Sequence, residues 1–167
     1  MNARPLPQLA MRPMLPTDVP LLAEIFRAAI EELAAEDYSE SQQEAWASTA
    51  DDLEEFGAKL AGDLTLVATN GGAPVGFASL ADNSRIDMLY VHPAAAGQGA
   101  AAMLCDALER LATARGTKKL TVEASDTARG FFEKRGFTAQ QRNTVSLGGE
   151  WLANTTLTKS LAPAAKA

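Results

Sequence analysis

The segment Leu89-Tyr90-Val91-His92-Pro93-Ala94-Ala95-Ala96-Gly97-Gln98-Gly99-Ala100-Ala101 decides the reading of this chain, because a β-type stretch runs through a His-Pro stop and a glycine pair into a helical pattern. Glycine between a strand and a helix N-terminus lets the backbone N–H groups of Gly97, Gln98, Gly99, Ala100 and Ala101 close around an anion with no side chain in the way. A phosphate or pyrophosphate fits such a loop. The loop lacks the Lys-Ser/Thr of a P-loop and the first glycine of a dinucleotide fingerprint. Glycine-rich strand-to-helix loops also occur as plain turns, so its meaning depends on the elements around it.

Upstream of this segment, residues 64–69, 74–80 and 86–91 are β-type runs separated by Asn70-Gly71-Gly72 and by Asp82-Asn83-Ser84, which predicts an antiparallel meander. Downstream, Leu104, Leu108 and Leu111 form one helical stripe. A strand over 118–123, a short helix over 126–135 with Phe131 and Phe132, and two strands over 138–147 and 150–158 around Gly148-Gly149 follow. The chain opens with a strand over 8–14. Thr17 and Asp18 then cap a helix bearing Leu22, Ile25, Phe26, Ala29, Ile30 and Leu33. Ser39 with Gln42, or Ser41 with Glu44, is spaced as a capping box for one second helix carrying Trp46, Leu53, Phe56 and Leu60. The element order is β-α-α-β-β-β-α-β-α-β-β, an α+β layout on one mixed, mostly antiparallel sheet flanked by helices. A parallel pair is expected where the strand over 86–91, its helix and the strand over 118–123 meet. Nucleotide or NAD binding by the glycine loop would need a parallel Rossmann order, which the meander contradicts.

The chain of 167 residues is expected to form one domain, 1–167, with its core over about 10–159 and a frayed tail from 162. No apolar run is long enough for a membrane span, and residues 1–7 lack the apolar core of a secretory signal, so a cytoplasmic protein is expected. Cys105 and His92 are the only residues of their kinds. Disulfide frameworks, zinc clusters and any metal site needing two of either are thereby excluded, and no metal is expected. Residues 1–83 carry 14 Asp and Glu against 4 Lys and Arg, and residues 84–167 carry 7 against 11. The acidic half disfavours nucleic acid and suits either solvated helix faces or a cation-attracting rim.

The segment over 89–101 resembles the signature region of the GNAT acyltransferase superfamily, where such a strand precedes a Gln/Arg-x-x-Gly-x-Gly/Ala loop. A second match follows: Ser125-Asp126-Thr127-Ala128-Arg129-Gly130-Phe131-Phe132-Glu133-Lys134-Arg135-Gly136-Phe137 is similar to that family's Asn-x-x-Ala-x-x-Phe-Tyr-x-x-x-Gly-Phe segment. With Met11-Arg12-Pro13 and Thr17-Asp18, the likeness runs from about residue 10 to 159. It implies an N-acetyltransferase using acetyl-CoA, built on a sheet whose central parallel strands splay apart. It also implies that the backbone of Leu89, Tyr90 and Val91 pairs with the pantetheine arm. The amides of Ala96, Gly97, Gln98, Gly99, Ala100 and Ala101 would hold the pyrophosphate, with Ser125 and Phe132 contributing from the second segment. Lys118, Lys119, Arg129, Lys134 and Arg135 suit a polyanionic coenzyme. Three positions depart from the family: Ala96 stands at the first Gln/Arg, Ser125 at the usual Asn, and Phe132 at the Tyr that often protonates the leaving thiolate. Phenylalanine cannot give up a proton, so that acid must be another group or water.

Direct transfer from a thioester to an amine needs a neutral amine, an oriented carbonyl and an oxyanion donor, for which a backbone N–H near Leu89 would serve. Asp87 shares parity with Leu89 on its strand, and Glu123 ends the neighbouring one, so both are candidates for the base. A carboxylate at a strand end is also commonly structural or solvated. Tyr38, Trp46 and Met88 are candidates for the acceptor pocket, although Trp46 at helical spacing reads equally as core. His92 and Cys105 read as a turn residue and a packing residue. The expected partner is a small-molecule or peptide amine, possessing positive charge to match the acidic half, and the last strands offer an edge for a homodimer. The alternative is a non-catalytic acyl-CoA-binding or sensing domain.

Overall fold

The computed structural model describes residues 8–162. The expectations for residues 1–7, and for the tail beyond 162, fall outside them. The elements are β1 (Leu9–Pro13), α1 (Val19–Leu33), α2 (Glu40–Ala47), α3 (Leu53–Gly62), β2 (Leu64–Asn70), β3 (Ala73–Ala81), β4 (Arg85–Val91), α4 (Ala100–Ala114), β5 (Lys119–Ser125), α5 (Arg129–Lys134), β6 (Thr138–Leu147) and β7 (Glu150–Ser160). The seven strands form one sheet in the order β1-β2-β3-β4-β5-β7-β6. Every neighbouring pair is antiparallel except β4 and β5. The α+β class, the meander and the central parallel pair are therefore as the sequence predicts. Among the described residues no helix is long and apolar enough to cross a membrane.

Each face of the sheet carries its own core. On one side Leu104, Cys105, Leu108 and Ala112 of α4 pack with Ala78, Ile86, Leu120, Val122 and Leu157 of the strands, joined by Phe132 and Phe137. On the other, Leu22, Ile25, Phe26 and Ile30 of α1 and Phe56 and Leu60 of α3 pack on Val67 and Phe77. Leu22, Ile25, Phe26 and Ile30 of the α1 stripe read from the sequence form this second core, whereas Leu33 at its end stays exposed.

Two local expectations are corrected. The single second helix is two helices: the Ser48 and Thr49 hydroxyls bond back to the carbonyls of Ala45 and Trp46 through a 3-10 turn, and Asp52 then caps α3 by accepting from Glu55 N at 3.1 Å. Ser39, accepting from Gln42 N while Gln42 bonds Ser39 N, is the capping box of α2. Nor does Asp18 cap α1. Its nearly buried carboxylate accepts both guanidinium nitrogens of Arg12, at 2.7 and 2.8 Å, and the N–H of Leu15 at 2.7 Å, tying β1 to the turn that launches the helix. The hydrogen bonds from Arg12, with that from Leu15, hold the Asp18 carboxyl below its ordinary range. Its stabilisation is thus complete at neutral pH and is lost as pH falls below ~4 through the folded value. Asp18→Asn is expected to cost ~2 kcal/mol at pH 7. The gap between the urea midpoints of the two proteins should narrow progressively as pH falls below ~4, the variant being the flatter with pH.

Candidate functional site

A cleft of about 470 Å³ passes through the sheet where β4 and β5 part. Their pairing consists of Arg85 with Thr121 and Ile86 with Val122. β4 continues to Val91 and β5 to Ser125 without a further ladder between them, so the β5-facing edge of β4 beyond Ile86 has no strand partner. Buried strand edges demand hydrogen-bond partners, and an extended ligand is one way to supply them.

The first end of the cleft is the loop into α4. Pro93–Ala95 form a 3-10 turn in which His92 Nδ1 accepts from Ala94 N at 3.1 Å, the turn role expected of His92. Gly97 and Gly99 then take φ of +79° and +92°, a conformation that other residues adopt only with strain. Gly99 is the N-cap of α4 and supplies no side-chain acceptor, so the helix opens with its amides uncapped. A Cβ on either glycine would meet no atom within 4 Å. The space over these amides is therefore open, which fits a pyrophosphate held by N–H donors and the helix dipole. Ala96, Gly97, Gly99, Ala100 and Ala101 line the cleft; Gln98 is exposed and does not.

Ala95 and Ala102 also line this end, with Phe131 and Phe132 opposite. Phe132 is buried edge-on between Phe131 and Phe137, a packing role without a polar atom. Ser125 Oγ accepts from Ala128 N at 3.1 Å, shaping the turn into α5. The five cations singled out in the sequence lie elsewhere: among the described residues no Lys or Arg lines the cleft. Arg135 is committed to Asp106, and Arg129 to Glu133. Cys105 is fully buried in the α4 core, and burial pushes its thiol up, as suits packing.

The other end opens on the α1 face. Leu89 and Val91 side chains pack with the α4 core, while Met88 and Tyr90 pack with the α1 core. Asp87 departs from the parity expected of it. β3 and β4 shift register between Ser79–Met88 and Leu80–Ile86, which leaves Asp87 as the extra residue of a bulge. Its carboxylate turns to α3, with Lys59 Nζ 3.3 Å from Oδ2 and Arg85 3.7 Å from Oδ1. Glu123 lines the cleft with its side chain exposed and has no ion-pair partner among the described residues. Both carboxylates thus border one cleft, one charge-compensated and the other not.

Of the three acceptor-pocket candidates, Trp46 and Met88 line the cleft and Tyr38 does not. Tyr38 is buried, donates to Ala153 O at 2.6 Å and accepts from Asp126 N at 2.9 Å, bridging the end of α1 to β7 and to the turn after β5. Burial pushes its phenol up, and the Arg142 guanidinium bonded to Asp126 holds that carboxyl below its ordinary range. Tyr38→Phe keeps the ring against Trp46 but strands both backbone groups, so a loss of ~1–3 kcal/mol is expected. Melting should fall by several degrees with KM for the acceptor unchanged.

Ala29, Ile30 and Leu33 of α1, with Ala34 just after it, wall this end, a role the sequence does not assign them. Their only signal was the amphipathic stripe itself, which runs past the sheet and ends over the cleft. Tyr90 sits edge-on to Phe26, and burial pushes its hydroxyl well above the ordinary tyrosine value.

A family model for the GNAT acetyltransferase domain matches residues 34–153. The chain is 35% identical to the uncharacterized N-acetyltransferase YafP of Escherichia coli over 146 residues, 87% of this chain and 92% of that one. A crystal structure of a protein from Rhodopseudomonas palustris, described as a GCN5-related N-acetyltransferase and class-II aminotransferase, is 59% identical, covers 96% of this chain and 100% of that one, and superposes with a TM-score of 0.91. The yncA protein of Salmonella typhimurium, a putative acetyltransferase solved with acetyl-CoA, shares the fold at 23% identity, covering 96% of this chain and 98% of its own, with a TM-score of 0.67.

Proposed function

The chain belongs to the GNAT acetyltransferase family and is an acetyl-CoA-dependent N-acetyltransferase, and from that premise we propose that its acceptor is a cationic primary amine entering from the α1 face. The observation that carries this reading is the early end of the β4–β5 ladder, which opens one cleft onto both faces of the sheet. On the α4 face the amides of Gly97, Gly99, Ala100 and Ala101 would hold the pyrophosphate, and the free edge of β4 at Leu89 and Val91 would pair with the pantetheine arm. Acetyl-CoA supplies an activated acetyl group: the ammonium first gives up one proton, the neutral amine nitrogen then bonds to the carbonyl carbon, the C–S bond breaks, and the nitrogen's second proton passes through water to the thiolate. On the α1 face Glu123, as the uncompensated carboxylate, takes the first proton from the ammonium, while Asp87, its charge balanced by Lys59 and Arg85, borders the amine's path without pairing to it. Water reaching the open cleft protonates the thiolate, because Phe132 has nothing to donate.

Residues 1–167 are read as one domain, since a single sheet takes in strands from Leu9 to Ser160. β6 is an open edge through which two copies could pair. Phe132 favours one second reading, an acyl-CoA-binding domain without turnover. A melting titration with acetyl-CoA, coenzyme A and NAD tests the coenzyme assignment. Acetyl-CoA and coenzyme A should raise the melting temperature with concentration while NAD does not. No shift at millimolar acetyl-CoA contradicts it.

A further inference from the structure

We propose that the acceptor is a monoamine on an apolar body, such as an alkylamine or arylalkylamine, rather than a polyamine or basic peptide. This rests on the acetyl-transfer reading above and narrows its acceptor. Charge is the first argument. Among the described residues the cleft is lined by two carboxylates and no cation. Asp87 is already engaged by Lys59 and Arg85, with Oδ2 enclosed and accepting no hydrogen bond, which leaves Glu123 as the one uncompensated charge. One carboxylate matches one ammonium. A second ammonium drawn into the same cleft would be desolvated without a partner.

The walls are the second argument. Around the α1 end stand Ile30, Leu33, Trp46, Met88 and Tyr90, a surface suited to hydrocarbon or an aromatic ring. Leu33 is 42% exposed although large and apolar, and it faces this cleft at the end of α1. An apolar acceptor would cover it. The acidic residues of the first half provide the third argument by their place: Glu31, Glu32, Glu36 and Asp37 are exposed, and none of them lines the cleft. Their field can draw a cation toward the opening, but they do not contact what binds inside.

The test compares hexylamine with hexamethylenediamine, which differ by one terminal ammonium, in acetyl-CoA-dependent rate assays on the wild type and on Leu33→Glu. Both amines are also titrated calorimetrically into protein saturated with coenzyme A. Hexylamine is expected to exceed the diamine in kcat/KM by about tenfold or more in the wild type. Leu33→Glu, at a partly exposed helix end that tolerates the change, should erase or reverse that ratio. A diamine used as well as hexylamine, or a ratio unmoved by Leu33→Glu, overturns the proposal. If neither amine is acetylated but hexylamine binds more tightly in a Leu33-dependent way, the acetyl-transfer reading falls and the apolar acceptor site stands. If neither binds, the acceptor site falls whatever the coenzyme titration gives.

Discussion

Replacing Gly99 by valine should weaken acetyl-CoA binding by about a hundredfold or more while leaving the fold in place. Two effects act together at this position. Its φ of +92° is one that a β-branched residue adopts only at a cost of about 1–3 kcal/mol, so melting should fall by several degrees. The larger effect falls on the ligand. A Cβ at Gly99 touches nothing of the protein within 4 Å, so the added side chain fills the open space above the α4 amides. Charge-assisted hydrogen bonds from those amides to a pyrophosphate are then lost together. Gly116→Val is the matching control: its φ is +86°, and a Cβ there is equally unopposed, but it lies beyond the C-terminal end of α4, away from the cleft. Calorimetry should find the control's affinity within about twofold of the wild type. Equal losses in both variants would trace the effect to strain and remove the loop from the site.

Glu123→Gln is expected to lower kcat/KM for the amine by ~10²–10⁴-fold, the range for loss of a positioned general base. Acetyl-CoA affinity should stay within about twofold, because Glu123 points to the α1 end of the cleft while the cradle lies at the other. Asp87→Asn should cost less and should act mainly on KM, since its carboxylate is already balanced by Lys59 and Arg85. A loss that falls on kcat with KM for the amine little changed separates a base from a binding group. Comparable kcat in Glu123→Gln and wild type would transfer the role elsewhere.

Much of this arrangement is legible in the sequence where chemistry and period are local. Glycines after a His-Pro stop mark the anion loop, because only a chain without side chains leaves those amides open. Strand alternation and paired turn residues mark the meander for similar reasons. What the sequence conceals is set by tertiary context. Asp87 was placed by strict alternation, and one bulge opposite Ser79–Leu80 turned it to α3. Tyr38 looks like a pocket residue until its hydroxyl is seen bridging Ala153 and Asp126 across more than 80 residues of chain. Leu33 reads as the end of a core stripe, and only the divergence of β4 from β5 leaves it facing a cleft. The cations that composition assigned to coenzyme binding sit in surface ion pairs or away from the cleft, leaving the anion to backbone donors.

The central claim is that this cleft performs transfer and does not merely bind an acyl-CoA. The most direct measurement follows free thiol and N-acetylated product in one reaction of wild-type protein with acetyl-CoA and hexylamine, by thiol titration and mass spectrometry. The account predicts one thiol released for each acetamide formed, over many turnovers, with both signals reduced in parallel by Glu123→Gln. Saturable binding of acetyl-CoA with no acetamide from any primary amine would contradict it and leave an acyl-CoA-binding domain in its place.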